Sequence, residues 1–376
     1  MTSSSSCSSR GLGRRAAVLI AALAACAHAP PRPPAPAVTK LAVFPVQNAT
    51  GGPAPIRAVS DALDAALEAR GVSVLPRREL DAALAEYRIR FTGGVDRQTA
   101  KVLRDLGVDA VLVPTLEQYA ADAPPKLALT VRLIDTTERP EVLWADGLAR
   151  SGDDSPGLLA RGVVTDPGQL QQIVVSRVAE SVARHLASQS EGGFCGEAGR
   201  FKPRRKFRAP VLDDVGRRSI AVLPFSNHTS RRSAGDVVLG QFVAQLARSG
   251  SFEVLDPGLV REQLLSHRIV LEGGVSVDQA LAMLDLLGAD LVLSGYVELY
   301  EARSGAGAPR VEFTAYVLDR RTAELVWSSS SNSSGDDGVW FFGAGRVYSA
   351  PALSCRMVRG VVDAIVGHRP PIEPPG

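Results

Sequence analysis

The strongest candidates for chemistry are two acidic turns of the same composition. Ser151-Gly152-Asp153-Asp154 returns as Ser334-Gly335-Asp336-Asp337. Paired carboxylates beside a glycine either contribute oxygens to Ca²⁺, which takes roughly six to eight, or receive a basic partner. One such tetrapeptide supplies too few ligands alone, so a turn and helix-capping role stands beside the metal role. A second candidate is the stretch from Arg200 to Arg208, with six cations and two aromatics in nine residues and Arg204, Arg205 and Lys206 at its centre. Basic and aromatic residues interleaved in this way suit anionic lipid head groups, acidic glycans or an acidic protein. A solvated connector is the plainer alternative. A third is Trp340-Phe341-Phe342, flanked by Gly338 and Gly343. It is either folded back onto a sheet or a binding hot spot.

No combination of residues points to catalysis. Histidines 185, 228, 267 and 368 are scattered, and the chain has no Gly-x-Ser-x-Gly, Walker loop, His-Glu-x-x-His or Cys-x-x-Cys. We therefore expect no enzyme activity and no cofactor. With 42 basic against 40 acidic residues, the formal charge of +2 gives no reason to expect a nucleic-acid partner.

The amino terminus indicates an address. Arg10, Arg14 and Arg15 precede an apolar run of about ten residues, Ala16 to Ala25, too short for the roughly 20 needed to span a bilayer. Leu23-Ala24-Ala25-Cys26 closes it and resembles the bacterial lipobox, whose cysteine is acylated and becomes the first residue of the mature chain. That resemblance, with Ala27 rather than Asp next, implies an anchor at Cys26 in the outer membrane, with the protein on its periplasmic face. Several acyl chains on one residue would make the attachment effectively permanent. Pro30, Pro31, Pro33, Pro34 and Pro36 follow as a semi-rigid spacer of roughly 35 Å at most. Of four cysteines, Cys7 lies in the leader and Cys26 carries lipid, which leaves Cys195 and Cys355 as a candidate disulfide in an oxidising compartment.

The elements that must position these residues occur twice. Leu41-Ala42-Val43-Phe44-Pro45-Val46-Gln47-Asn48 is echoed by Ile220-Ala221-Val222-Leu223-Pro224-Phe225-Ser226-Asn227, and the likeness continues in the same order. A helix follows each strand, with stripes Val59, Leu63, Leu67 and Val238, Phe242, Leu246 at helical spacing. Strands are expected at Val72 to Leu75 and Phe252 to Leu255, then short helices carrying Leu84 and Leu264. Third helices open at Asp96 and Ser276, the latter with Gln279 as a capping box. Three strands and a closing helix finish each copy. Alternation along Leu127, Leu129, Val131 and Leu133 predicts one buried and one wet face. Trp144 and Trp327 are read as core or sheet-edge anchors. The fold class is α/β: two tandem copies of a mixed-sheet module with helices mainly on one face, each long enough to bury its own core.

Three motifs carry a family resemblance: Ala-Val-Leu-Pro-Phe-x-Asn at 221 to 227, Gly-Ala-Asp-x-Val-Leu-x-Gly at 288 to 295, and Val-Leu-Asp-x-x-Thr-x-Glu-Leu-Val-Trp at 317 to 327. They resemble the superfamily that includes the curli secretion lipoprotein, the lipoprotein activators of penicillin-binding proteins, and the amino-terminal domain of the Tol propeller protein. Copy one departs from them, with Pro114 where copy two has Gly295 and Val46-Gln47 for Phe225-Ser226. The chain shows neither the amphipathic hairpins of curli-type members nor a propeller repeat. The resemblance implies an envelope adaptor or regulator like the cell-wall synthase activators, binding an unidentified envelope protein. The alternative is an oligomeric component of a curli-type secretion or transport apparatus, and homo-oligomers are left open.

The expected organisation is a lipoprotein signal peptide over 1–26, a Pro-rich tether over 27–38, module one over 39–188, a basic linker over 189–216, module two over 217–369 and a Pro-rich tail over 370–376. Metabolic labelling with palmitate should mark the wild-type chain and not Cys26→Ala; equal labelling of both removes the anchor.

Overall fold

The computed structural model describes residues 38–89, 93–154, 163–188, 195, 201–213, 216–271, 273–302, 308–339 and 345–367. The first copy runs β1 (Leu41–Val43), β2 (Gln47–Asn48), α1 (Ile56–Glu68), α2 (Arg77–Glu86), α3 (Arg97–Asp105), β3 (Ala110–Ala120), β4 (Lys126–Asp135), β5 (Val142–Ser151) and α4 (Pro167–Ser188). Next comes β6 (Arg204–Arg208) and a 3₁₀ turn at Pro210–Asp213. The second copy runs β7 (Arg218–Val222), β8 (Ser226–Asn227), α5 (Ala234–Ser249), β9 (Phe252–Val254), α6 (Pro257–Ser266), α7 (Val277–Leu287), β10 (Leu291–Glu301), β11 (Arg310–Asp319), β12 (Leu325–Ser334) and α8 (Ala350–Val366). No helix among the described residues is long and apolar enough to cross a membrane.

Both sheets are mixed and share one plan. In the first, β1 pairs parallel to β3, and β3, β4 and β5 run antiparallel; in the second, β7 pairs parallel to β10, and β10, β11 and β12 run antiparallel. Even the irregularities repeat. A register shift between Leu116 and Gln118 in β3 matches one between Val297 and Leu299 in β10, so Glu117 and Glu298 occupy the same bulge. The strand expected near Val72 to Leu75 shrinks in copy one to a single bridge between Leu41 and Val74, whereas copy two forms β9.

Local signals explain the elements. Asp96 accepts from Thr99 N at the start of α3, and Ser276 and Gln279 cap α7 reciprocally. Gly250 and Gly288 close α5 and α7 in the left-handed conformation that glycine adopts without strain. The helices divide by length. The longer α1 and α4 cover one face of the first sheet through Val59, Leu63, Leu67, Val175, Val178 and Val182, while the short α2 and α3 pack Leu80, Leu84 and Leu103 on the other. The second copy repeats this with α5 and α8 on one face and α6 and α7 on the other. Each module thus has three layers, with most of its helical residues on the first face. Trp144 and Trp327 are both buried.

Two expectations change. The copies do not bury separate cores: one cluster runs from Ala42, Phe44, Val111 and Ile134 of the first copy into Val237, Phe242, Leu293 and Trp327 of the second. The cause is α5, which is buried nearly all round and packs on β5 of the first sheet as well as on its own sheet. The basic linker, read by default as a solvated connector, supplies a strand. β6 pairs antiparallel with β12, with Trp327 opposite Arg208 and Ser328 opposite Phe207. Phe201 anchors it against Gly360 of α8, where a Cβ would meet the ring at 2.9 Å.

The repeated acidic turns are hydrogen-bonded the same way. Asp154 accepts from Ser151 N and Asp337 from Ser334 N, both at 2.8 Å, while Gly152 N and Gly335 N donate to Pro125 O and Pro309 O. A Cβ at Gly152 would run into the carbonyl oxygen of Val164, and one at Gly335 into that of Val347. Gly152→Ala and Gly335→Ala should each lower unfolding stability by about 1–3 kcal/mol, read by urea denaturation.

Candidate functional site

The distinctive chemistry lies where the copies meet. On β4 the alternation that sends Leu129, Val131 and Leu133 toward α1 and α4 sends Ala128, Thr130 and Arg132 the other way. That second face was expected to be wet. It is instead covered by α2 and α3 together with the second copy, and Arg132 is only 6% exposed. The result is a buried polar seam. Its centre is Glu117, which the β3 bulge turns toward α5. Gln241, fully buried on α5, donates through Nε2 to the Glu117 carboxylate at 3.0 Å and to Pro351 O at 3.1 Å.

Arg231 of the second copy donates to the carbonyl oxygens of Glu117 and Ala49 and lies 4.8 Å from the centre of the Tyr300 ring. Ser233 Oγ donates to Ala49 O at 2.5 Å, and Tyr300 and Ser354 hydroxyls meet at 3.2 Å. A second anchor is Asp256. It caps α6 by accepting from Gly258 N, and the same oxygen accepts from Val95 N of the first copy, both at 2.7 Å. Arg132 faces its other oxygen at 3.9 Å and donates to Gly93 O at 2.5 Å. The approach needs glycine: a Cβ at Gly258 would meet the Val95 backbone at 2.4 Å if that close contact were permitted, so no larger residue fits there.

The electrostatics follow from burial. Loss of solvation pushes the Glu117 carboxyl up to about 7, against the opposing pull of Gln241, Thr130, Arg231 and Arg132. Desolvation also raises Asp256, opposed first by Arg132. At the seam's rim, Glu141 is pushed up by burial and by the Glu253 carboxyl beside it, with Arg217 and Arg139 alongside.

Two clefts meet at Glu117 and Thr130. One, of about 360 Å³, is lined by Arg150, Arg346, Arg356 and Tyr348 together with Cys195 and Cys355. These two cysteines are bonded to each other in the structure, Cα atoms 5.6 Å apart, and Gln245 donates to the Cys195 sulfur. The other cleft, of about 500 Å³, has a polar floor from the first copy and an apolar wall from α5, α6 and the segment after α6. Among the described residues no group of three or more His, Cys, Asp or Glu is arranged to hold a metal ion.

The residues singled out from sequence are not brought together. Arg204 and Lys206 lie exposed on β6, which also contains Arg205 and ends the second sheet among the described residues; Phe207 beside them is 50% exposed. Cys26, Trp340, Phe341 and Phe342 lie outside the described residues. The seam residues Glu117, Arg132, Gln241 and Asp256 escaped sequence reasoning. One signal was present: α5 carries apolar residues away from its Val238, Phe242, Leu246 stripe, at Val237 and Ala244, which a helix covering a single sheet does not need.

A carboxyl whose folded pKa lies above its unfolded value binds the proton more tightly when folded. Stability linked to Glu117 is therefore highest at low pH and falls as pH rises from about 4.5 to about 7. Glu117→Gln should raise unfolding stability at pH 8 by up to about 3 kcal/mol and lose that advantage near pH 5. A difference independent of pH would contradict the assignment.

No family model matches this chain, and no curated protein matches it. Among solved structures it is similar to the PelC dodecamer from Paraburkholderia phytofirmans, at 19% identity over 44% of this chain and 97% of that one, with a TM-score of 0.32. It is also similar to a lipoprotein from Neisseria meningitidis, at 21% identity over 38% and 99% of the two chains and a TM-score of 0.28. The LpoB C-terminal domain from Salmonella enterica matches at 21% identity over 30% and 83%, with a TM-score of 0.26. Each likeness spans less than half of this chain.

Proposed function

We propose that the protein is an outer-membrane lipoprotein, anchored through Cys26 and facing the periplasm, that acts as an adaptor. It binds and regulates an envelope-assembly partner in the manner of cell-wall synthase activators. The observation that carries this reading is the sharing of α5 between two sheets, which holds two diverged modules at a fixed spacing. Such a head on a proline-rich tether suits holding a partner at a set distance from a membrane. The surface favoured for contact is the β6 edge, where Arg204, Arg205, Lys206 and Phe207 would receive an acidic extended segment by strand addition.

One observation favours the oligomeric secretion or transport reading. The face of the second sheet equivalent to the covered face of the first is open at Tyr296, 37% exposed, and at Glu298. A contact made once within the chain and left unmade at its far end is of the head-to-tail type that builds rings. Light scattering coupled to size exclusion on the lipidated, detergent-extracted chain separates the two readings. The adaptor reading expects a monomer or dimer, with in-cell photo-crosslinking at Phe207 that is lost when Arg204, Arg205 and Lys206 become Ser. A large symmetric assembly would overturn it in favour of the ring.

A further inference from the structure

We propose that the smaller seam cleft binds a phosphomonoester, its phosphoryl oxygens held by Arg150, Arg346 and Arg356. The three arginines reach this cleft of about 360 Å³ from β5 of the first copy, from the segment before α8 and from the second turn of α8. That volume lies within the ordinary range of small-molecule sites. The lining sets them against two carboxyls, Asp154 and Glu117. Glu117 is engaged by Gln241, and burial pushes its carboxyl up to about 7. Asp154 accepts from Ser151 N at 2.8 Å and stands 3.9 Å from Arg150. Arg346 pairs with Asp336 at 2.7 Å, whereas Arg356 makes neither a hydrogen bond nor an ion pair among the described residues. These cations are open to a ligand: the Arg150 and Arg346 side chains are 45% and 38% exposed, and Arg356 is half-buried.

The number and placing of the arginines select phosphate. One guanidinium fork saturates a planar carboxylate with two parallel hydrogen bonds, whereas a phosphoryl group presents three strong acceptor oxygens and takes donors from several sides. Three guanidinium groups on three separate segments match the second kind of acceptor.

Comparison of the copies supplies an independent observation. The turns fix the correspondence, since a Cβ at Gly152 would meet Val164 O and one at Gly335 would meet Val347 O. Likewise α4 and α8 begin after Asp166 and Ser349, whose carbonyls accept from Leu170 N and Leu353 N. Arg346 and Arg356 therefore stand where the first copy has Val163 and Ile173, and Arg150 where the second has Ser333. None of the three belongs to the shared plan of the fold. The helix caps differ in the same sense. Asp166 caps α4 with a carboxylate, accepting from Gln169 N at 2.6 Å, while the neutral Ser349 on the cleft caps α8 through Ala352 N at 3.3 Å. A helix amino terminus favours negative charge. The first copy supplies that charge itself, and the second leaves it to a ligand.

The test uses the full chain carrying Cys26→Ser, free of detergent. One arm titrates it calorimetrically with glycerol 3-phosphate; the other measures co-sedimentation with phosphatidylcholine vesicles containing phosphatidic acid. Saturable one-to-one binding of glycerol 3-phosphate assigns a soluble phosphomonoester, and vesicle binding without it assigns a lipid head group. In the arm that binds, Arg356→Gln and Ser349→Asp should each weaken affinity by about tenfold or more. Ser349→Asp should do so with the melting temperature kept or raised, because Asp caps a helix as well as Ser does. Asp154→Asn, which keeps an acceptor for Ser151 N and removes a competing charge, should tighten binding. Folded parent protein that binds in neither arm would overturn the proposal. So would Arg356→Gln or Ser349→Asp with unchanged affinity, or equal binding of the carboxylate counterparts, glycerate in solution and oleate in vesicles.

Discussion

Helix α5 is the element on which the architecture depends. It covers its own sheet with Val238, Phe242 and Leu246 and presents Gln241, Ala244 and Gln245 to the first sheet and to the cysteine pair. Its counterpart α1 buries only Val59, Leu63 and Leu67. The same helix position therefore serves one sheet in the first copy and two in the second. That difference makes the two modules a continuous body rather than two beads on a string.

Burying charge at such a junction is not a cheap way to gain stability. An ion pair taken out of water often contributes no more than a well-packed apolar pair, whereas removing one partner alone is strongly destabilising. Arg132 and Asp256, 6% and 0% exposed, fit that description. Their contribution here is to orientation. Asp256 caps α6 and accepts from Val95 N with one oxygen, so any slip of one copy against the other breaks a helix cap and an inter-copy hydrogen bond together. Glu117 acts similarly through Gln241, and its twin Glu298, at the same bulge, pairs with His228 in the open. The carboxylate at this bulge thus has two environments, set by whether another module lies over it.

Much of the fold was legible locally. The stripes of α1 and α5, the capping box at Ser276, the closing-helix faces and the order of elements follow from spacing alone, because each is decided within a few turns of chain. What was not legible depended on long-range cover. Thr130 and Arg132 alternate with Leu129 and Val131 whether water or a polar seam lies over them, so a wet face and a buried junction read alike. The six cations around β6 hid a strand whose pairing with β12 rests on backbone hydrogen bonds rather than on side-chain pattern. The doubled apolar character of α5 was readable and was the best clue to the seam.

The position of α5 in the chain also orders events in time. Synthesis delivers residues from the amino end, so both faces of the first sheet exist once β5 has emerged, but the cover for one of them still lacks α5 and the Asp256 cap of α6. In that interval the nascent first copy presents Thr130, Arg132 and Glu117 to solvent, which their polarity tolerates far better than an apolar patch would. The hydrophilic character of the seam thus also lets the first copy wait, without sticking to its neighbours, for the helix that will cover it.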